Sequence, residues 1–194
     1  MQIRPAKTED LSGVQEIDGT IVSVKYLHVE RGAGDEGGGA GQRFSASWRL
    51  EERRHREKLI ESNRLGDDAY FTLKQIVSGN EEGIAWLVEH EDQPVASVVA
   101  RPEPATGTLQ IVDLRVDFDF RRQGMGTALA YQVIQSARES EMRAVAAQTL
   151  TNNLPAAALL AKCGFELSGV DTRRHSNHDL VKEAVTLFWY VPLD

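Results

Sequence analysis

Between residues 109 and 139 the apolar period of this chain changes from two to about 3.6, and it changes across a glycine turn. Leu109 to Val116 reads as a strand. Met125, Leu129, Val133 and Ala137 recur at helical spacing, which predicts a helix over about 124–139. The turn between them is Arg121-Arg122-Gln123-Gly124-Met125-Gly126-Thr127, and a further strand is predicted over 143–150. Strand, helix, strand in this order implies a crossover connection and a parallel pairing inside a sheet, so the chain is confined to the α/β class.

The rest of the chain fits around that unit. Ile84–Glu89 and Val95–Arg101, separated by Glu91-Asp92-Gln93-Pro94, read as a hairpin that joins the Leu109 strand in an antiparallel meander. Pro155–Lys162 reads as a helix stopped at Gly164, with strands at Phe165–Val170 and Glu183–Val191. At the start, Met1–Arg4 predicts a short strand, and Thr8 is placed to cap a helix carrying Leu11, Val14 and Ile17. Ile21–Val29 alternates at the strand period, as do Phe44, Ala46 and Trp48. The glycines between them predict a hairpin over about 20–50 with a Gly-rich, mobile tip. Glu51–Arg64, with acidic and basic residues interleaved, reads as a solvated helix. The expectation is one domain over 1–194: a mixed, mostly antiparallel central sheet flanked by helices.

Charge narrows the partners. With 22 Lys and Arg against 29 Asp and Glu in 194 residues, the net charge of −7 lacks the basic field that phosphate backbones and anionic lipids require. Nucleic acid and membrane are therefore excluded as expected partners, and a cationic small molecule is favoured. The longest apolar stretch, Ala156–Ala161, is far too short to span a bilayer. The N-terminus has no apolar leader, and a single cysteine, Cys163, forms no internal disulfide, so a cytoplasmic location is expected.

Two glycine patterns suggest phosphate binding, and only one has the right surroundings. Gly32-Ala33-Gly34-Asp35-Glu36-Gly37 matches a dinucleotide fingerprint in letters, but the glycines that follow it cannot open the helix on which a pyrophosphate would sit. The Arg121–Thr127 turn does open a helix. There, unpaired first-turn amides, the positive end of the helix dipole and two arginines converge, while glycine lets an anion approach the backbone.

This stretch resembles the acyl-CoA-binding segment of the GNAT superfamily of N-acetyltransferases, whose pattern is Arg or Gln, two residues, Gly, one residue, Gly or Ala. Arg121, Gly124 and Gly126 fill it. Leu114 and Val116 match the strand before it, and Asn153, Ala156, Gly164 and Phe165 match a later Asn-x-x-Ala, helix, Gly-Phe segment. A narrower resemblance, to streptothricin acetyltransferases, rests on Gly169-Val170-Asp171-Thr172, Ser176-Asn177 and Leu187-Phe188-Trp189-Tyr190, and on the early hairpin.

The resemblance implies acetyl-CoA as cosubstrate, with its pyrophosphate on the amides of Arg122, Gln123, Gly124, Met125, Gly126 and Thr127 beside Arg121. It implies the pantetheine arm along Leu114, Arg115 and Val116, and Asn153 among the binding residues. A backbone N–H near Val116 would polarise the acetyl carbonyl. Asp113 is the expected proton acceptor for the amine, since Val112 stands where relatives carry glutamate; an ion pair between Asp113 and Arg115 is the competing reading. Leu160 replaces the usual tyrosine acid, leaving water, Tyr190, His175 or unassisted departure of the thiolate. His175 and His178 lack a third ligand, so no metal is expected, and Cys163 reads as a buried apolar residue. The function implied is acetyl transfer to a primary amine of a small cationic molecule such as a streptothricin-like antibiotic. The alternatives are acetylation of a protein lysine or N-terminus, and a non-catalytic acyl-CoA sensor. A homodimer is compatible with any of these.

Overall fold

The computed structural model describes residues 2–32 and 47–193. A seven-stranded sheet runs in the order β1 (Gln2–Pro5), β4 (Ile84–His90), β5 (Gln93–Glu103), β6 (Thr108–Val116), β7 (Ala144–Leu150), β9 (Thr186–Pro192), β8 (Glu166–Asp171). All of its pairings are antiparallel except β6 with β7. That parallel pair needs a crossover, which α3 (Met125–Glu139) supplies. The expected mixed, mostly antiparallel sheet is therefore observed.

One face of the sheet packs against α3 and α4 (Leu154–Lys162), burying Leu129, Val133, Val98, Val145, Leu160 and Leu187. The other face is covered by α1 (Leu11–Glu16) and α2 (Asp67–Val77), with Val14, Leu73 and Val99 buried between them. Among the described residues, no helix is long and apolar enough to cross a membrane.

Two expectations need correction, and one helix goes unpredicted. The charged stretch from Glu51 is strand, not helix: β3 (Trp48–Glu61) pairs antiparallel with β2 (Ile21–Arg31) as a separate two-stranded sheet. Cross-strand contacts, such as Lys25 Nζ to Glu52 at 2.7 Å and Arg53 to Glu30, satisfy charges that the sequence pattern assigns to helix-face pairs, and Leu50 packs on the core. Thr8 is not the cap of the first helix. It opens a 3-10 turn in which the Asp10 carboxylate accepts from Lys7 N–H at 2.8 Å, and that oxygen and its neighbour also hold Arg4. Finally, α2 is a helix the sequence reading passes over. Of the predicted hairpin tip, only Gly32 and Ser47 are described, closing the ladder at 2.8 Å; Phe44, Ala46 and the glycines from Gly34 to Gly41 lie outside the described residues.

Candidate functional site

β6 and β7 pair at Thr108–Ala144, Leu109–Val145 and Gln110–Ala146, and then no further, although β6 continues to Val116 and β7 to Leu150. The divergence coincides with a bulge in β6. Ile111 faces Ala100 and Asp113 faces Val99, which leaves Val112 without a partner. A bulge bends and twists its strand, and here it turns the end of β6 away from β7. The result is a wedge in the middle of the sheet.

The edge of β6 inside the wedge carries free polar groups. Asp117 N–H donates to Val95 O at 2.8 Å, which makes that pair hydrogen-bonded to β5. An antiparallel ladder alternates every residue, so Leu114 and Val116 sit at positions whose N–H and C=O point away from β5, into the wedge. The Val116 carbonyl accepts from Arg121 Nε at 3.1 Å, while its N–H stays available to a ligand.

The N-terminus of α3 lies beside this edge. Gly124 is its N-cap with φ +87°, and Arg122 before it also has positive φ (+65°). The first helical bond is Ala128 N–H to Gly124 O, and the amides of Gly124, Met125, Gly126 and Thr127 have no backbone acceptor among the described residues. A Cβ at Gly124 would meet nothing within 4 Å, so the space in front of these amides is open. Gly126 serves a different purpose. A Cβ there would press on Leu159 at 3.1 Å and Val116 at 3.5 Å, so glycine lets α3 pack close against β6 and α4. This turn, with four donors, a dipole end and room for an anion, fits a pyrophosphate.

The predicted site residues fall into two groups. Gln123, Gly124, Met125, Gly126, Thr127, Leu114 and Val116 come together around the wedge, with exposed Arg122 at its rim. Arg121, Asp113, Arg115 and Asn153 are engaged by the protein itself. The Arg121 guanidinium, lowered in pKa by burial, holds Val116 O and donates through Nη1 to Thr20 O at 2.6 Å. Arg115, 4% exposed, grips both Asp113 oxygens at 2.7 Å and reaches Asn63 O. Asn153 caps α4 through Ala156 N–H at 3.3 Å. Leu160 is buried in the main core, and burial pushes the nearby Cys163 thiol up. Tyr190 faces Ala146, at the closed end of the wedge. His175 and His178 sit on the loop after β8, where their backbone amides bond Asp179 and Ser176.

Sequence reasoning missed how β2 spans the open end. Its start is tied to the β6 side through Arg121 and Thr20. Its middle is tied to the β7 side by Leu27 N–H donating to Thr151 O at 2.9 Å. Tyr26, His28 and Glu183 gather there, and no periodicity in the sequence marks them.

Three comparisons bear on this geometry. The model of the acetyltransferase (GNAT) family matches residues 47–165. Streptothricin acetyltransferase A of Bacillus subtilis (strain 168) is 34% identical over 111 residues, 57% of this chain and 63% of that protein. The chain spans less than two thirds of the length of the curated relatives it matches. A Bacillus anthracis str. Ames protein assigned as a streptothricin acetyltransferase, solved in complex with acetyl coenzyme A, superposes with a TM-score of 0.73 at 21% identity, covering 100% of this chain and 98% of that one. Nourseothricin acetyltransferase gives 0.74 at 19% identity with the same coverage, and at such identities both speak to the fold.

Proposed function

This chain belongs to the acetyltransferase (GNAT) family, and on that premise we propose that it transfers the acetyl group of acetyl-CoA to a primary amine of a small cationic molecule of the streptothricin kind. The observation that carries the reading is the wedge between β6 and β7, with unpaired backbone donors on its edge and on the first turn of α3.

Acetyl-CoA supplies the electrophile, a thioester carbonyl. The amides of Gly124–Thr127 and the Arg122 side chain hold the pyrophosphate, and the free edge at Leu114 and Val116 takes the amide-bearing arm as a short added strand. The Val116 N–H polarises the carbonyl and stabilises the charge that builds on its oxygen; a donor of this kind contributes about 3 kcal/mol in acyl transfer. The amine attacks as the neutral species, forming the C–N bond while the C–S bond breaks and the thiolate leaves. Because the thiol pKa is about 8.5, departure needs no strong acid, which suits a site where Leu160 brings no hydroxyl.

Proton removal falls to Asp113 working with Arg115. With both oxygens held by the guanidinium, Asp113 acts by orienting a water molecule rather than as a strong base. The reading places the enzyme in the cytosol, and a free, buried Cys163 suits a reducing compartment.

A thiol-release assay with acetyl-CoA and an amine panel containing streptothricin, spermidine, L-lysine and a lysine-bearing peptide tests this. Turnover is expected with the small polycations. Acetylation of the peptide alone would replace the acceptor class, and tight acetyl-CoA binding with no turnover would establish an acyl-CoA sensor.

A further inference from the structure

Thr151 ties two segments together at the open end of the wedge. Leu27 N–H donates to its carbonyl at 2.9 Å, which sets Tyr26 and His28, on either side of Leu27, against the end of β7. Its hydroxyl donates to Glu183 O at 2.6 Å and accepts from Val185 N–H at 3.0 Å. The Tyr26 phenol is held above its ordinary pKa by the neighbouring Glu183 carboxylate, whose Oε1 lies 3.7 Å from His28 Nδ1. His55 stacks on Tyr26 with ring centroids 4.7 Å apart, and its Nε2 is buried with no partner among the described residues.

One feature separates Glu183 from an ordinary structural carboxylate. Its backbone φ is +55°, a left-handed conformation it shares with Glu91, Asp92 and Glu141, but its surroundings differ. Its side chain is 33% exposed, yet no Lys or Arg lies within 4 Å among the described residues. Arg53, which faces Tyr26 across the β2–β3 ladder, is committed to Glu30 and Glu51. A carboxylate largely withdrawn from water and without a cation is favourable once a ligand supplies one.

We propose that Glu183, supported by the Tyr26 phenol and the His28 imidazole, binds a second cationic group of the acceptor while the reacting amine reaches the carbonyl at Val116. The inference rests on the acetyl-transfer reading and narrows its acceptors to small molecules with two or more positive charges. Attack requires an uncharged nitrogen, so the group bound as an ion pair at Glu183 is not the one acetylated.

Matched amines test it: cadaverine, with two ammonium groups, against n-pentylamine, with one, alongside streptothricin. The wild-type enzyme is expected to prefer cadaverine. Glu183→Gln should raise KM for cadaverine and streptothricin at least tenfold, leave n-pentylamine unchanged and leave KM for acetyl-CoA unchanged. Glu183→Gly should lose the same preference with an unfolding temperature equal to or above wild type, because it relieves the positive φ. A Glu183→Gln enzyme that keeps the preference overturns the subsite, as does a wild-type enzyme that uses both amines equally well; in either case acetyl transfer stands. A wild-type enzyme that releases thiol with none of these amines overturns the small-amine acceptor reading, and the subsite with it.

Discussion

Arg115 donates to both oxygens of Asp113, Nε to Oδ2 and Nη2 to Oδ1, each at 2.7 Å, on the strand segment just past the bulge at Val112. The pair lies on the α1/α2 side of the sheet, because Asp113 shares its face with Val99. Replacing Asp113 therefore has two separable effects. Asp113→Asn leaves a buried guanidinium without its counter-charge, and a loss of about 3 kcal/mol of stability is expected from chemical unfolding. If the carboxylate orients the water that takes the proton, kcat/KM also falls about 100-fold with acetyl-CoA affinity unchanged. Activity within a few-fold of wild type across pH 6 to 9 would assign proton removal to bulk water and leave the pair a purely structural role.

The two neighbouring arginines should behave differently. Arg121 is spent on Val116 O and Thr20 O, so Arg121→Ala should lower the unfolding temperature and raise KM for the acceptor, since β2 loses its tie to the β6 side. Arg122 is exposed at the rim, and Arg122→Ala should weaken acetyl-CoA by about 1 kcal/mol with stability unchanged. Calorimetry and thermal unfolding on both variants check this. The opposite pattern, with Arg121→Ala losing acetyl-CoA and not stability, would restore a phosphate-binding role to Arg121.

Gly124 is constrained by its backbone and by the open space before it. Gly124→Val introduces a β-branched side chain at φ +87° where nothing lies within 4 Å. Acetyl-CoA affinity should fall at least tenfold, read by calorimetry, while amide exchange in the core of α3 stays close to wild type. Unchanged affinity would remove the pyrophosphate from this turn.

Acid stability should depend on the Arg4 cluster. Arg4 holds the Asp10 carboxylate below its ordinary range, with a bidentate contact at 2.8 Å, and it does the same to Glu89. A depressed folded pKa means that the stabilisation is fully present above the unfolded value of about 4 and is lost as pH falls through the folded values. Unfolding midpoints should be flat above about pH 5 and drop below pH 4, and Asp10→Asn should remove about 2 kcal/mol at neutral pH and flatten the acid drop. A variant with the wild-type acid profile would contradict this.

The β6–α3–β7 unit was legible because a change of apolar period, a glycine turn and a helix are all local signals. Asn153, Gly164 and the meander were legible for the same reason. β3 was not, since its alternating charges satisfy an i, i+4 template as well as a strand, and only the facing charges of β2 decide between them. The wedge itself depends on one unpaired residue, Val112, which sequence alone reads as the loss of a catalytic position. Glu183, Tyr26 and His28 are brought together from 155 residues apart by the two bonds to Thr151, and no spacing rule records such a meeting.

The central claim, that acetyl-CoA lies in the wedge against the edge of β6 and the first turn of α3, is tested most directly by amide chemical shifts. In a 15N-labelled sample titrated with acetyl-CoA, the account predicts that the largest changes fall on Leu114, Val116, Gly124, Met125, Gly126 and Thr127, which carry the free donors. The amides of β1, at the far edge of the sheet, and of α2, on its other face, should stay within noise. Saturable binding whose largest shifts fall on β1 and α2, with Val116 and Gly124 unmoved, would contradict it.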